Sequence, residues 1–311
     1  MVVKIIRGGA QEKKVKACIA KYGYFAEHNY FYYMLLDNDP GENCFFSVDG
    51  KYGMLGQYVR KNKEWVFVTG ILAPKSKRLG VFMSVLEYCL KHGKKFTIEA
   101  DDEFFNEALR AVWGSKSYRA LIPRFVLYWP VFDMKKWEGH KMKGKSWKKM
   151  RNILNGFYKS HDVKVVDSAK IPKNQLLKIV SEWTKKRHLM SYGCNRKDSN
   201  QAYYQKYVNL VNSGFRGMMF AKTLVVDGIP STITCGWKIP HSKGYYSAVG
   251  IYNYAFKGLG EASNMDDLKR LKKAGFQYVD FGGSPKPLLE FKKKFRYDFT
   301  YRTRTFSIVK K

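Results

Sequence analysis

Twice along this chain a run of strand formers, broken by an Asp-Gly pair, gives way to helix, strand, helix and strand. That repeated order limits the possible folds more than any other feature. In the first half, NCFFSVDGKYGMLGQYV (43–59) carries Asp49-Gly50 between two strand-forming runs, the signature of a tight hairpin, and EWVFVTGIL (64–72) is another strand. Val81, Phe82, Val85, Leu86 and Leu90 follow at helical spacing, with Gly93 as the stop. Strand FTIEA (96–100), helix FFNEALRAVWG (104–114) and strand RFVLYWPV (124–131) complete this half.

The second half opens with two helical patterns, at 174–189 and 199–213. The hairpin MMFAKTLVVDGIPSTITCGWKI (218–239) then turns at Asp227-Gly228, ahead of strand GYYSAVGIY (244–252). A helix at 259–274, strand YVDFG (278–282), a short helix at 288–295 and strand YRTRTFSIV (301–309) close it. Two antiparallel meanders, each followed by helix–strand–helix–strand, predict a duplicated α/β fold with two mixed sheets flanked by helices. The expected halves are 1–134 and 161–311, joined by a basic segment at 135–160, and the repeat lies in the order of elements without literal identity.

Charge restricts the partners. The 311 residues hold 57 Lys plus Arg against 26 Asp plus Glu, a formal net charge of +31. Such an excess repels itself and draws polyanions by counterion release. A lysine-rich proteome or a salty cytoplasm accounts for it without function. A phosphate-bearing partner (tRNA, other nucleic acid, a CoA-type cofactor or anionic lipid) accounts for it with one. Apolar residues at 45% and aromatics at 16% supply packed cores and exclude disorder.

Cys18, Cys44, Cys89, Cys194 and Cys235 are scattered, with no Cys-x-x-Cys pair and no His at ligand spacing, so neither a zinc site nor a disulfide framework is expected. The N-terminal MVVKIIRGGAQEKKVK has no long apolar run, and no stretch approaches the length of a membrane span. These features predict a cytoplasmic protein without a transmembrane segment or a metal.

Within 135–160, Lys135, Lys136, Lys141, Lys143, Lys145, Lys148, Lys149 and Arg151 face only Glu138 as an acid. A connecting helix with a solvated face is the plain reading, and a cationic wall of a cleft is the functional one.

The segment GKSWKKMRNILNGFYKSHDVKVVD (144–167), with its Arg-Asn-x-x-Asn-x-Phe core, resembles part of an uncharacterised family related to the C-terminal catalytic domain of phosphatidylglycerol lysyltransferases. The downstream order is similar too: Val-Asp-Gly at 226–228, Tyr-Val-Asp-Phe-Gly-Gly-Ser at 278–284 and Glu-Phe-Lys-Lys-Lys-Phe at 290–295. The resemblance spans roughly residues 40–309. It implies a tandem GNAT-like acyltransferase fold, also shared by the Fem peptidyltransferases. It further implies transfer of an aminoacyl group from aminoacyl-tRNA to an amine or hydroxyl on a small molecule, peptide or lipid head group, with no bound cofactor. The multi-span membrane half of the lysyltransferases is not found in this sequence.

Acyl transfer needs a placed donor, a nucleophile relieved of its proton and cover for the oxyanion. Asp280 sits at a strand end, where open α/β sheets place functional groups, and Gly282, Gly283, Ser284, Lys286, Phe291 and Lys292 follow it. The resemblance makes Lys292 the cation beside the scissile carbonyl, with Asp280 and Ser284 as its catalytic company. A turn followed by a solvated lysine face is the plain reading. Lys148, Arg151 and Asn152 share a helical face which, with Lys149, suits a phosphate or an acceptor stem.

Lys257, Gly258 and Gly260 form a partial phosphate-cradling loop, and Lys75–Gly80 a second partial one at the matching place in the first half; acyl-CoA is the donor in the alternative that uses them. A third alternative is a nucleic-acid-binding protein on a degenerate acyltransferase fold. His161, His188 and His241 have no evident acid partner in the sequence and read as surface or capping residues. Glu99, Asp101 and Asp102 read as a solvated turn or helix cap, with a base or a cation site as the functional option, and one of Tyr245 and Tyr246 is expected to face the cleft.

Overall fold

Asp49 and Gly50 take φ of 50° and 68°, and Asp227 and Gly228 take 50° and 78°, so both Asp-Gly pairs make hairpin turns with two positive φ values. The computed structural model describes residues 1–7, 12–35, 43–189 and 197–311. The first half comprises β1 (Val3–Arg7), α1 (Glu12–Tyr22), α2 (Tyr30–Leu35), β2 (Asn43–Val48), β3 (Tyr52–Val59), β4 (Glu64–Phe67), β5 (Ile71–Leu72), α3 (Lys75–His92), β6 (Lys95–Asp101), α4 (Asp102–Gly114), β7 (Tyr118–Ala120) and β8 (Phe125–Asp133). The second half comprises α5 (Lys148–Ser160), β9 (Val163–Asp167), α6 (Lys173–Leu189), α7 (Lys197–Asn212), β10 (Met219–Val226), β11 (Ile229–Pro230), β12 (Thr232–Lys238), β13 (Gly244–Tyr252), α8 (Leu259–Lys273), β14 (Tyr278–Asp280), α9 (Lys286–Lys293) and β15 (Phe299–Lys310). The strand expected over 64–72 is broken at Thr69-Gly70, and its second piece folds back onto β3.

The two expected sheets are joined edge to edge into one 15-stranded mixed sheet, ordered β1-β2-β3-β4-β6-β15-β8-β14-β13-β12-β10-β11. β5, β7 and β9 pair with β3, β15 and β10 off this path. Duplication is plain in the pairing. Each half has an antiparallel meander (β2-β3-β4 and β10-β12-β13), a crossover helix (α3 and α8) and a strand parallel to the last of the meander. The two closing strands are then exchanged. β15 of the second half pairs with β6 of the first, β8 of the first pairs with β14 of the second, and β8 and β15 pair with each other.

Helices cover both faces, which is why β2 is buried along its whole length and reads as NCFFSV rather than as an alternating pattern. On one face, α3 and α4 bury Phe82, Val85, Leu86 and Ala108 against Phe46, Phe67, Phe96 and Phe306. Each of these is fully enclosed, worth about 1.5–3 kcal/mol for a large side chain. On the other face of the first half, α1 and α2 cover Phe45, Leu55 and Leu72. In the second half α5 and α8 cover one face through Leu154, Phe157, Leu259 and Leu268, while α6 and α7 lie with Ile233, Cys235, Val249 and Ile251. A separate aromatic cluster, Tyr32, Trp129, Trp237 and Tyr246 around Ala26, fills the seam between the halves.

Candidate active site

β6 and β14 are the equivalent parallel strands of the two halves, and each delivers a buried carboxylate to the seam. Glu99 comes from β6, and Asp280 is the last residue of β14. A third acid, Glu27, arrives on the irregular link between α1 and α2. That link crosses to the second half. Trp237 Nε1 donates to Ala26 O at 2.8 Å, the Tyr246 hydroxyl to Glu27 Oε1 at 3.2 Å, and Lys206 of α7 to the Tyr32 hydroxyl, with its ammonium 3.9 Å from the Tyr32 ring centroid.

Each carboxylate has a defined partner. Asp280 Oδ1 accepts from Gly282 N at 2.7 Å and Oδ2 from the Tyr301 hydroxyl at 2.7 Å. Glu99 Oε1 accepts from the Thr303 hydroxyl at 2.6 Å, which in turn accepts from Trp129 Nε1 at 2.8 Å. Gly282 takes φ of 77°, and Tyr246 lies 3.2 Å from where a β-carbon would project, so glycine alone lets this turn fold back on Asp280.

Burial dominates the electrostatics. It pushes Asp280 up to about 6, against the downward pull of Tyr301, Gly282 N and Lys292. Burial likewise raises Glu27 and Glu99, and the charge of Glu99 raises Glu27 further. Lys292 lies in the last turn of α9 and donates to the carbonyls of Phe281 and, at 3.3 Å, of Gly282, leaving one of its three donors. Desolvation lowers its pKa to about 8, opposed by the nearby Asp280 charge. A cavity of about 320 Å³ opens beside these groups, lined by Asp280, Tyr301, Tyr24, Phe25, Tyr278 and Phe299 among others. Carboxylate, phenol and ammonium together can take up and hold a proton within an aromatic wall. Among the described residues no group of three His, Cys, Asp or Glu side chains is placed to hold a metal ion.

The residues singled out in the sequence divide. Asp280 and Lys292 meet here, and Tyr246 is the ring of its pair that faces the seam, while Tyr245 donates to Met219 O. Ser284 is fully buried, bonds Gly282 O at 3.1 Å and bridges to Tyr128, so its hydroxyl shapes the turn. Lys286 is exposed at the start of α9.

On α5, Lys148, Lys149 and Asn152 are exposed, whereas Arg151 turns inward to the carbonyls of Met142 and, at 2.8 Å, Gly144, holding the preceding loop. Gly258 (φ 88°) rests against Ile153 and Phe157 of that helix, so the Lys257–Gly260 loop and the basic helix share one face. Gly260 is buried beneath Tyr252.

Of the three candidate acids at 99–102, Asp101 caps α4 by accepting from Phe104 N at 2.8 Å, and Asp102 pairs with Arg302 and Arg304. Glu99 departs from the solvated reading, because strand alternation turns it inward. His161 is the C-cap of α5, as its capping reading expects, and it has an acid partner that the sequence did not show: its Nδ1 lies 2.7 Å from Asp227 Oδ2, brought in by the second hairpin turn. Cys194 and the His188 side chain lie outside the described residues. Glu27, Thr303 and Tyr301 escaped the sequence reading, since each is one polar residue within an aromatic or basic stretch.

No protein-family model and no curated protein matches the chain. Solved structures do. A conserved protein of unknown function from Bacteroides thetaiotaomicron is similar over 100% of both chains at 13% identity and a TM-score of 0.72. L-PGS of Bacillus licheniformis is similar over 95% of this chain and 90% of its own, at 16% identity and a TM-score of 0.63. A tandem GNAT protein from the clavulanic acid biosynthesis pathway covers 99% and 98%, at 10% identity and a TM-score of 0.60. The fold is therefore the tandem GNAT-like one that the motifs at 144–167 and 278–295 imply. No described helix is long and apolar enough to cross a membrane.

Proposed function

We propose that this protein is an acyltransferase which moves an aminoacyl group from aminoacyl-tRNA to an amine or hydroxyl acceptor in the seam cavity. The observation that carries the reading is the buried Asp280, placed with Tyr301 in the cavity wall and backed by the Lys292 ammonium. Asp280 takes the proton from the acceptor nitrogen or oxygen. That atom bonds to the aminoacyl carbonyl carbon, the ester C–O bond to the ribose breaks, and the proton passes to the departing ribose hydroxyl. Lys292 fixes the Phe281–Gly282 turn and supplies the positive charge that offsets the developing oxyanion. Ser284 supports the same turn.

The charge of +31 and the exposed Lys148, Lys149 and Asn152 on α5, with Lys257 and Lys286, suit the backbone of a bound tRNA. Acyl-CoA is the weaker donor. A pyrophosphate on the Lys257–Gly260 loop would meet the Glu261 carboxylate in the first turn of α8, where it pairs with Lys294 at 2.9 Å. No cofactor is required by the reaction as written. The test is to incubate the protein with tRNA charged with mixed radiolabelled amino acids, alone and with candidate amines, and follow loss of label from tRNA. Loss by the native chain but not by Asp280→Asn is the expected result. Loss that is equal in both, or absent from both with any acceptor, removes the reading.

A further inference from the structure

A second cleft, sharing no residue with the seam cavity, lies in the first half between α1 and the β2–β3 hairpin and encloses about 260 Å³. Lys14, Cys18 and Lys21 fall on one stripe of α1, and Lys51 faces them from the hairpin. Among the described residues none of the three lysines forms an ion pair and no carboxylate lines the cleft. All three lysines are exposed and stand at the rim of the cleft, above the buried Cys18.

Ser47, only 3% exposed, also lines the cleft, and its hydroxyl makes no hydrogen bond among the described residues. The hydroxyl oxygen keeps contact with solvent at the cleft, where a ligand oxygen can take the place of water. Beside these donors the walls are flat and apolar. Tyr22 and Tyr52 meet with centroids 5.4 Å apart, and Phe45 lies beneath. Three positive charges around one cleft, with no acid among the described residues lining it, favour an anion there. The aromatic walls select a flat body for that anion.

We infer that this cleft binds a small phosphomonoester carrying a flat ring, its phosphate among Lys14, Lys21, Lys51 and Ser47 and its ring against Tyr22 and Tyr52. The volume lies just under the usual range of small-molecule sites, so the ligand is no larger than a mononucleotide.

Isothermal titration of the full chain with AMP, adenosine and inorganic phosphate tests this. AMP is expected to bind, to weaken as salt is raised, and to bind at least tenfold more tightly than either fragment. The double variant Lys21→Ala, Lys51→Ala removes two exposed side chains, and its circular dichroism and melting temperature report that it folds. In it the AMP affinity should fall at least tenfold, and in Ser47→Ala a few-fold. Absence of AMP binding overturns the inference, as does binding unaltered in the double variant. Phosphate binding as tight as AMP overturns the assignment of a ring.

Discussion

The Tyr301 hydroxyl donates to Asp280 Oδ2 at 2.7 Å across an intervening strand, since β15 and β14 are each paired with β8 and not with one another. The phenol therefore both orients the carboxylate and holds down a pKa that burial alone would push higher. Tyr301→Phe should raise the Asp280 pKa by about one unit and so roughly halve the ionised fraction, and with it turnover, at pH 7. The pH profile of kcat/KM checks it: its acid limb moves upward if Asp280 is the base and stays in place if it is not.

The native profile should be bell-shaped. Activity rises as Asp280 ionises through about 6 and declines as Lys292 loses its proton above about 8. Lys292→Met should abolish the alkaline limb along with most of the rate, and a limb that persists in that variant assigns it to another group.

Asp280 also makes stability depend on pH. Its pKa rises from 3.8 unfolded to about 6 folded, so the folded chain holds the proton more tightly. That stabilisation is complete below the unfolded value and is lost as pH rises through about 6. Asp280→Asn should consequently gain on the native chain above pH 6, by up to about 3 kcal/mol, and lose that gain near pH 4. Urea melts at the two pH values measure it, and a pH-independent difference would mean that the carboxylate is not desolvated.

Thr303 stands between Trp129 and Glu99, accepting from one at 2.8 Å and donating to the other at 2.6 Å. Thr303→Val keeps the shape but leaves an indole N–H and a carboxylate without their partner, and should cost about 2–3 kcal/mol. Chemical denaturation reads this directly, and a loss under about 0.5 kcal/mol would show that both groups find other partners.

Lys148 and Lys149 point outward from α5 while Arg151 does not. Replacing the two lysines by Glu should weaken tRNA binding and reduce the slope of log K against log salt by about 2. Arg151→Ala should leave the slope nearly unchanged and instead loosen the 142–147 loop. Filter binding across a salt series separates the two results.

Local patterns carried most of the fold. The Asp-Gly turns, the helical spacing of Val81–Leu90 and the strand at 244–252 all stand where their side chains demand. Pairing between distant strands was not legible, because β-strand periodicity fixes which face is buried but not which neighbour is chosen. The exchange of β8 and β15 left no local mark for that reason. The site split along the same line. Asp280 and Lys292 belong to a recognisable motif, while Glu27 and Thr303 owe their place to tertiary folding. His161 and Asp227 likewise meet only because a hairpin turn is brought beside the end of α5.

β6 takes Thr305 of β15 opposite Glu99, a separation of 206 residues. At ribosomal speeds of about 5–20 residues per second, that edge of the first half waits roughly 10–40 s for its neighbour. During this interval it offers unpaired amides and carbonyls to any passing strand. Neither half can mature as an independent foldon, so truncation near residue 134 should yield an aggregation-prone fragment. A chaperone that shields open sheet edges would raise the yield of active protein more than one that shields apolar surface alone.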